Sequence, residues 1–450
     1  MPIFLAVFAI LKKSTCDEIS FVLLFARHGA RMPTKHSRYV DRVDRNYPVG
    51  ELVPSGMKMN YLLSQKVIKE YPFLKDSELD SKSFMSSYKN RTIISAASFV
   101  LGMKGLEKGP LIEADVPELY NPPIKDFDIK IEGNDALPHR LAPITFMSPS
   151  DDDDYIFQHS CPDLDEELEK VKKDNIELIK DTFQPLYKLL IEEGFQPSDF
   201  IKNEKFTFKT ASAACDMINS LSTIDSTLKA SESLRTQCKL IQLIKNFAQT
   251  TDLNLLKVTL TPLLRKYIEI LEEFPKNNRK FMGMFGHDSN LNSLAGLFMP
   301  NSFACSINYY RSLYNKEEYD PKVDDNCVTI IGFSTTLILE ASPFDRDFMI
   351  KSKFNGEEVP FFGKKSKVSR KWLLNFLKEN TNNRFDSMCL KKPESSKILP
   401  YLAMITCIGM FAMLYSYFHL RREIKVKRSD SESELDFKPE SKLIPEHEHS

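Results

Sequence analysis

The chain has 450 residues, of which 42% are hydrophobic and 27% charged, so it is long enough for two domains or for one large domain with insertions. Its formal net charge is -1, so no global positive field attracts nucleic acid, and we expect no nucleic-acid partner. Any cationic site must therefore be local, which favours a pocket over a charged surface.

The amino terminus, residues 1–16, is predicted to be a signal peptide. Residues 2–11 form an apolar run of the length typical of a signal core, and small or polar residues follow it. The basic pair Lys12-Lys13 lies after this run rather than before it. A buried strand or a short anchor is therefore the alternative interpretation.

The first predicted strand is Ser20–Ala26, which leads directly into the motif RHGARMP. A short, continuous apolar run is typical of a strand that is buried on both faces. Arg27, His28 and Arg31 then follow. Cationic groups this close repel one another, and burial removes their hydration, so the arrangement is unfavourable unless an anion lies among them. Guanidinium groups match phosphate oxygens, and Gly29 removes a side chain where a ligand could approach the backbone.

Two helices are predicted next. The first begins at Pro54, and its apolar residues recur at helical spacing until Pro72. The second begins at Asn90 and carries Arg91 in its first turn, where the backbone amides favour an anion. Taken alone, Arg91 would be interpreted as an ordinary surface arginine.

Residues 120–274 differ in character from the residues before them. Charged helical stretches dominate and strand signals are scarce, which predicts a mainly helical cap insertion. The acidic run Asp151–Asp154 lies within it. We interpret this run as a solvated acidic loop rather than a cation site, because no spaced ligand pattern accompanies it.

Strand signals return at Arg279–Asp288, Val328–Ala341 and Asp347–Gly356. His287 and Asp288 close the first of these segments, where Asp is also a preferred helix N-cap.

Strands at both ends of the chain with helices between them predict an α/β fold. We expect a central mixed, mostly parallel sheet flanked by helices and built from residues 17–119 and 275–397, with the helical cap inserted between these two parts.

The segment Ile398–Leu420 is predicted to be a transmembrane helix. It contains no Asp, Glu, Lys or Arg and would span roughly 34 Å as a helix. A basic stretch follows directly, which places residues 421–450 in the cytosol. These residues are charged and poor in large apolar side chains, so we expect a disordered tail. The sequence thus predicts a single-pass type I membrane protein, with a buried core helix as the alternative.

Six cysteines lie between the predicted signal and the predicted membrane span, an even number that suits an oxidising compartment. Many pairings are open to six cysteines. We expect one long-range and two local disulfides: Cys161–Cys389, Cys215–Cys238 and Cys305–Cys327.

Three motifs in this order resemble those of the histidine acid phosphatases, a group within branch 2 of the histidine phosphatase superfamily. They are RHGxRxP at residues 27–33, NRTxxSA at 90–96 and GHD at 286–288, and weaker similarity extends over roughly residues 18–360. The resemblance implies a phosphoglycerate-mutase-like α/β fold. The predicted anchor is similar to that of the membrane-anchored, lysosomal-type members.

The resemblance implies an acid phosphatase that hydrolyses phosphomonoesters through a covalent phosphohistidine. His28 matches the nucleophile and Asp288 the proton donor, while the phosphoryl oxygens would be bound by Arg27, Arg31, Arg91 and His287. A carboxylic acid that must hold a proton favours acid conditions. No metal and no other cofactor is expected, because the arginines supply the electrostatic stabilisation.

Asn90 also begins an N-glycosylation sequon. We predict that Asn90 is unmodified, because a glycan beside Arg91 would obstruct the cleft.

Two other functions are considered. One is an inositol polyphosphate phosphatase or phytase of the same superfamily, and the other is a non-catalytic, receptor-like ectodomain on the same scaffold. The expected location is a lysosome-like or vacuolar membrane or the cell surface, with the catalytic domain lumenal or extracellular. The sequence leaves a homodimer open.

Overall fold

The computed structural model describes residues 18–35, 47–77, 81–104, 145–150, 153–157, 161–178, 183–196, 206–224, 230–319, 327, 331–361, 365–390 and 395–433. The predicted signal peptide, residues 1–16, lies outside these ranges, as does the part of the predicted tail after residue 433. Contacts divide the chain into two units, Met1–Cys389 and Leu390–Ser450, which are described separately.

The described part of the first unit contains seven strands and twelve helices. The strands are β1 (Phe21–Arg27), β2 (Lys82–Ser86), β3 (Phe281–Gly286), β4 (Thr336–Phe344), β5 (Asp347–Phe354), β6 (Glu357–Val359) and β7 (Lys367–Ser369). The helices are α1 (Pro54–Glu70), α2 (Phe73–Asp76), α3 (Asn90–Lys104), α4 (Pro162–Leu178), α5 (Gln184–Glu192), α6 (Phe208–Leu221), α7 (Glu232–Phe247), α8 (Leu253–Glu273), α9 (Asp288–Phe298), α10 (Ser302–Asn315), α11 (Arg370–Glu379) and α12 (Arg384–Cys389).

The strands form one mixed sheet in the order β2-β3-β1-β4-β5-β6, with β7 paired to β5. The β1–β3 and β2–β3 pairs are parallel, and the other four pairs among the described strands are antiparallel. A mixed sheet was predicted, but the expectation that it is mostly parallel was wrong. Only Asp345 and Arg346 join β4 to β5, and so short a connection permits an antiparallel pair alone.

β1 is the central strand, and all seven of its residues are buried. Side chains alternate between the two faces of a strand, so β1 contributes to two cores. Phe21, Leu23 and Phe25 pack into the larger core with helices that include α5–α9. The intervening residues of β1 pack on the other face against α1 and α3. The sheet therefore lies between two helical layers.

The three strands β2, β3 and β1 run parallel and end at the same edge of the sheet. Arg27, the last residue of β1, pairs with Gly286 of β3, while Ser86 at the end of β2 pairs with Phe285. The residues that follow these strands must emerge side by side, at the edge where α/β folds place ligands.

The elements described between α3 and β3 are the helices α4–α8. The cap boundaries at residues 120 and 274 stay a prediction, since residues 105–144 lie outside the described ranges.

The structure confirms all three disulfide predictions: Cys161–Cys389, Cys215–Cys238 and Cys305–Cys327. Two of these links are local. The third joins the start of α4 to the end of α12 across a sequence separation of 228 residues.

The second unit contains one helix, α13 (Ser395–Ser433), among its described residues. The residues from Met404 to Lys425 are exposed. The predicted transmembrane span 398–420 falls within α13, but over the described part of the chain no helix has both the length and the apolar character needed to cross a membrane. The transmembrane prediction is therefore not supported.

Candidate active site

His28 follows β1 and is held by the sheet. Its N–H donates to the Gly286 carbonyl at 3.0 Å, its own carbonyl accepts from the Ser334 N–H at 3.1 Å, and the residue is 2% exposed. The ring Nδ1 lies 2.8 Å from the carbonyl oxygen of Gly29. Because a carbonyl only accepts, Nδ1 carries the hydrogen, and the neutral ring keeps its lone pair on Nε2. Nε2 is therefore the nitrogen that can act as a nucleophile.

Arg27 and Asp288 form an ion pair at the same edge of the sheet. Nη2 of Arg27 lies 2.9 Å from Oδ2 of Asp288, and Nη1 donates to the Ile331 carbonyl at 3.1 Å. The guanidinium lies over the ring of Phe333, with Cζ 4.6 Å from the ring centroid. The same ring centroid lies 5.9 Å from that of His28. Phe333 therefore orients Arg27 without occupying any of its hydrogen-bond donors.

Arg31 is tied to α6 through Asp216. Nη2 of Arg31 lies 2.8 Å from Oδ1 of Asp216. Oδ2 of Asp216 accepts from the backbone N–H and the hydroxyl of Thr34, at 3.0 and 2.8 Å. Burial alone would raise the pKa of Asp216, but Arg31 and Thr34 lower it further than burial raises it. Asp216 thus holds both the arginine and the loop that follows it.

Arg91 and His287 meet across the end of the sheet. Nη2 of Arg91, in the first turn of α3, lies 3.4 Å from Nδ1 of His287. His287 directly precedes α9, and its backbone N–H donates to Oδ1 of Asn290 at 2.9 Å. Its Nε2 lies 3.1 Å from the hydroxyl of Ser87, the residue that follows β2. The rings of His28 and His287 lie 5.6 Å apart.

Burial and the surrounding cations keep both histidines neutral. Burial, followed by the charge of Arg27, lowers the pKa of His28 far below its ordinary value of 6.5. Burial, followed by the charge of Arg91, lowers the pKa of His287 to about 3. His28 therefore presents an unprotonated nitrogen even in acid.

Asp288 is an ionised carboxylate in this arrangement. Burial alone would raise its pKa, but Arg27 and Arg31 outweigh burial and bring the pKa below the ordinary value of 3.8. The side chain remains 29% exposed. The unliganded site thus combines two neutral histidines, one carboxylate and three arginines.

These groups lie at a cleft of about 1840 Å³, which is lined in part by Arg31, Arg91 and Asp288. The lining includes nine cationic and seven acidic side chains, an excess of two positive charges. The Nε atoms of all three site arginines are buried and have no partner among the described residues. An anion is the ligand that such an arrangement attracts.

Gly29 does not serve the purpose expected from the sequence. A Cβ atom at Gly29 would lie 2.2 Å from the carbonyl oxygen of Gly56, and one at Gly56 would lie 2.1 Å from the carbonyl oxygen of Ala30. Gly29 therefore allows the close approach of α1, rather than that of a ligand.

All six predicted site residues are brought to one edge of the sheet: Arg27, His28, Arg31, Arg91, His287 and Asp288. The sequence did not indicate Asp216, Ser87 or Phe333. Asp216 lies beside a disulfide cysteine, Cys215, and carries no motif of its own. Ser87 lies three residues before the NRTxxSA motif, which is the one signal that could have drawn attention to it.

Comparison with known proteins then assigns the family. The family model described as "Histidine phosphatase superfamily (branch 2)" matches residues 18–308, well over half of the chain. The chain belongs to this family. A search of curated proteins finds no match.

Solved structures similar to this histidine phosphatase include three enzymes. A phytase from Citrobacter braakii has 12% sequence identity and a TM-score of 0.53, over 82% of this chain and 99% of that one. A phytase from D. castellii has 16% identity and a TM-score of 0.51, over 83% and 81%. The multiple inositol polyphosphate phosphatase of Bifidobacterium longum, in complex with inositol hexasulfate, has 11% identity and a TM-score of 0.50, over 81% and 93%.

At these identities the similarity shows the fold. Membership of the family adds the class of activity: the protein is a phosphatase, an enzyme that hydrolyses phosphate esters. Among the described residues, no group of three or more His, Cys, Asp or Glu side chains is arranged to hold a metal ion. That the reaction needs no metal stays a prediction.

Proposed function

We propose that the protein is an acid phosphatase that hydrolyses phosphomonoesters through a covalent phosphohistidine. The observation that carries this proposal is the Nδ1–H of His28 donating to Gly29, which leaves Nε2 as a buried, neutral nucleophile among three arginines. Developing negative charge on the phosphoryl oxygens would be stabilised by rigid guanidinium donors.

The reaction would proceed in two displacements. In the first, Nε2 of His28 forms a bond to phosphorus as the P–O bond to the leaving alcohol breaks, and Asp288 gives that alcohol its proton. In the second, water attacks phosphorus, its proton passes to Asp288, the P–N bond breaks and inorganic phosphate leaves. Arg27, Arg31 and Arg91 would bind the phosphoryl oxygens throughout.

The size and the charge of the cleft point to different substrates. A volume of about 1840 Å³ exceeds what a small monoester needs and suits an inositol polyphosphate. Acidic residues of α4, among them Asp163, Glu166 and Glu167, line the same cleft. They would repel outer phosphates that approach α4, although the lining as a whole has an excess of two positive charges. The charge on the α4 side of the cleft therefore favours a simple monoester. We therefore propose phosphomonoesters first and inositol polyphosphates second.

The test is an assay of the full chain, produced in a secretory host, from pH 4 to 8 with EDTA present. We expect an aryl phosphate to be hydrolysed with an acid optimum, and the His28→Ala variant to lose activity by at least ~10³-fold because the nucleophile is gone. Inositol hexakisphosphate is assayed in parallel. A folded protein that hydrolyses neither compound would contradict the proposal, and a higher kcat/KM for the inositol compound would select the second candidate.

We also propose that the enzyme works in an oxidising, lumenal or extracellular compartment. The three disulfides support this proposal, because thiols in the cytosol are kept reduced. The non-catalytic alternative loses support, since the chain belongs to a phosphatase family and retains every motif residue.

A further inference from the structure

Asp154 is buried, although the sequence predicted a solvated acidic loop at this position. The residue has 0% exposure. Its Oδ2 accepts from the Ser87 hydroxyl at 2.7 Å and from the Tyr88 N–H at 3.2 Å, and its Oδ1 accepts from the Phe157 N–H at 3.2 Å. The loop interpretation was wrong for Asp154, because these partners replace water around the carboxylate. A buried carboxylate is costly to place, and the mechanism above does not use it.

The Ser87 hydroxyl connects this carboxylate to His287. A hydroxyl has one hydrogen and a carboxylate only accepts, so the hydrogen of Ser87 points to Asp154. The lone pairs of the Ser87 oxygen therefore face Nε2 of His287 at 3.1 Å, and Nε2 must carry a hydrogen. On the other side of the ring, Nη2 of Arg91 lies 3.4 Å from Nδ1 and can only donate. The two contacts independently select the same tautomer.

We propose that Asp154 and Ser87 are positioning residues that allow His287 to become an imidazolium when the phosphoryl group is bound. This proposal rests on the proposed function. In the neutral ring, Nδ1 is an acceptor and cannot donate to a phosphoryl oxygen. Once Nδ1 has gained a proton from solvent, it no longer accepts from Arg91 and donates to that oxygen instead. The positive charge is then balanced by Asp154 through Ser87, and the proton is returned when phosphate leaves.

The other neighbours of His287 make such a balancing charge necessary. The charged and titratable groups that surround the ring are Arg91 of α3, Asp288 of α9, Arg27 at the end of β1, and His28 and Arg31 in the segment that follows β1. The three arginines oppose a further positive charge, and Asp288 is already paired with Arg27 at 2.9 Å. Asp154 approaches from the opposite side of the ring, through the nitrogen that Ser87 contacts.

The first measurement is the protonation state of His287 by ¹⁵N NMR on the full-length protein labelled at histidine, with the signal assigned through His287→Asn. Sulfate, a dianion that cannot be hydrolysed, is the probe. At pH 5 we expect the wild type to show the Nε2–H tautomer alone and an imidazolium at saturating sulfate. Ser87→Ala and Asp154→Asn should remain neutral with sulfate, whereas Ser87→Thr, which keeps the hydroxyl, should behave as the wild type.

The second measurement is the pH profile of kcat with an aryl phosphate. Loss of the balancing charge makes the imidazolium less stable, so we expect the alkaline limit of kcat to move to lower pH by about one unit in Ser87→Ala and Asp154→Asn. Ser86→Ala is the matched control, since Ser86 is equally buried and its hydroxyl donates to the Ser87 carbonyl rather than to Asp154. We expect that control to keep the wild-type profile.

The outcomes separate the two proposals. If Ser87→Ala is folded and still shows both the imidazolium and the wild-type pH profile, the role of Asp154 and Ser87 is refuted. If the wild type forms the imidazolium with sulfate but hydrolyses no phosphate ester, the positioning role stands and the proposed function fails. Ser87→Ala carries the test if Asp154→Asn does not fold, because it removes one oxygen and leaves the backbone donors to Asp154 in place.

Discussion

Asp288 is ionised in the unliganded site, although the proton donor of the proposed mechanism must carry a proton. The charges of Arg27 and Arg31 hold its pKa below 3.8. A bound phosphoryl group would neutralise these two cations and add negative charge beside the carboxylate, and both effects raise the pKa of Asp288. The proton therefore has to arrive with the substrate or after it, and acid conditions would act on the complex rather than on the free enzyme.

The pH dependence of wild-type kcat/KM tests this account of Asp288. Phosphomonoesters lose their last proton with a pKa of about 6. We expect kcat/KM to fall as the pH rises through that value, because the monoanion brings the proton that Asp288 lacks. Folding lowers the pKa of Asp288, so the Arg27–Asp288 pair contributes stability above the ordinary pKa of 3.8 and loses it only at lower pH. If kcat/KM fell only over the pH range in which the protein unfolds, this explanation would be wrong.

Replacement of the carboxyl group tests its role as the proton donor. We expect Asp288→Asn to lower kcat by about 10² to 10⁴ for alkyl phosphates, whose leaving groups need a proton. The loss should be much smaller for p-nitrophenyl phosphate, whose leaving group departs as an anion. Equal losses for both substrates would assign Asp288 a purely electrostatic role.

At the scale of elements, the site depends on the crossing of α1 over the loop that follows β1. Gly29 and Gly56 provide the space, and Ala30 accepts the N–H of Val53 at 3.1 Å within the same contact. We expect Gly56→Ala to destabilise the fold by about 1 to 3 kcal/mol, since its Cβ would lie 2.1 Å from the Ala30 carbonyl oxygen. Because Ala30 lies between His28 and Arg31, kcat should fall as well.

The measurement is denaturant unfolding together with steady-state kinetics of the folded variant. Ser55→Ala, at the neighbouring position of α1, is the control and should resemble the wild type. A Gly56→Ala protein with unchanged stability and kcat would show that the crossing is not needed.

The strands that carry the site were predictable, and others were not. Ser20–Ala26 and Arg279–Asp288 contain the apolar runs of β1 and β3, and buried parallel strands have that signature. β2 was missed because its five residues, KSFMS, mix polar and apolar types without a clear period. The antiparallel half of the sheet was misjudged because the two-residue connection before Asp347 became clear only from the observed end of β4 at Phe344.

The residues that support the site escaped prediction for a different reason. Asp154 and Ser87 are 67 positions apart, and Arg31 and Asp216 are 185 apart. Their roles arise from tertiary contacts, and nothing in the local sequence marks them. From the sequence alone, a run of acidic residues such as 151–154 is interpreted as a solvated surface loop, because its distant hydrogen-bond partners are not visible there.

At the scale of the whole molecule, the long-range disulfide joins segments that are distant in sequence. Closing a loop of 228 residues restricts the unfolded chain more than closing one of 22. We expect the Cys161→Ser/Cys389→Ser variant to lose roughly 5 kcal/mol of unfolding free energy and Cys305→Ser/Cys327→Ser roughly 3 kcal/mol. Chemical denaturation of both variants measures the difference, and an equal or reversed order would show that loop entropy does not dominate.

The parallel pairing of β1 with β3 has a consequence for biosynthesis. Roughly 250 residues separate the two strands, so at about 5 to 20 residues per second the apolar β1 leaves the ribosome roughly 13 to 50 s before its partner exists. His28 is likewise synthesised that long before His287. A nascent chain has to keep SFVLLFA from aggregating during that time, and a truncated product that ends before β3 would contain the proposed nucleophile but no complete site.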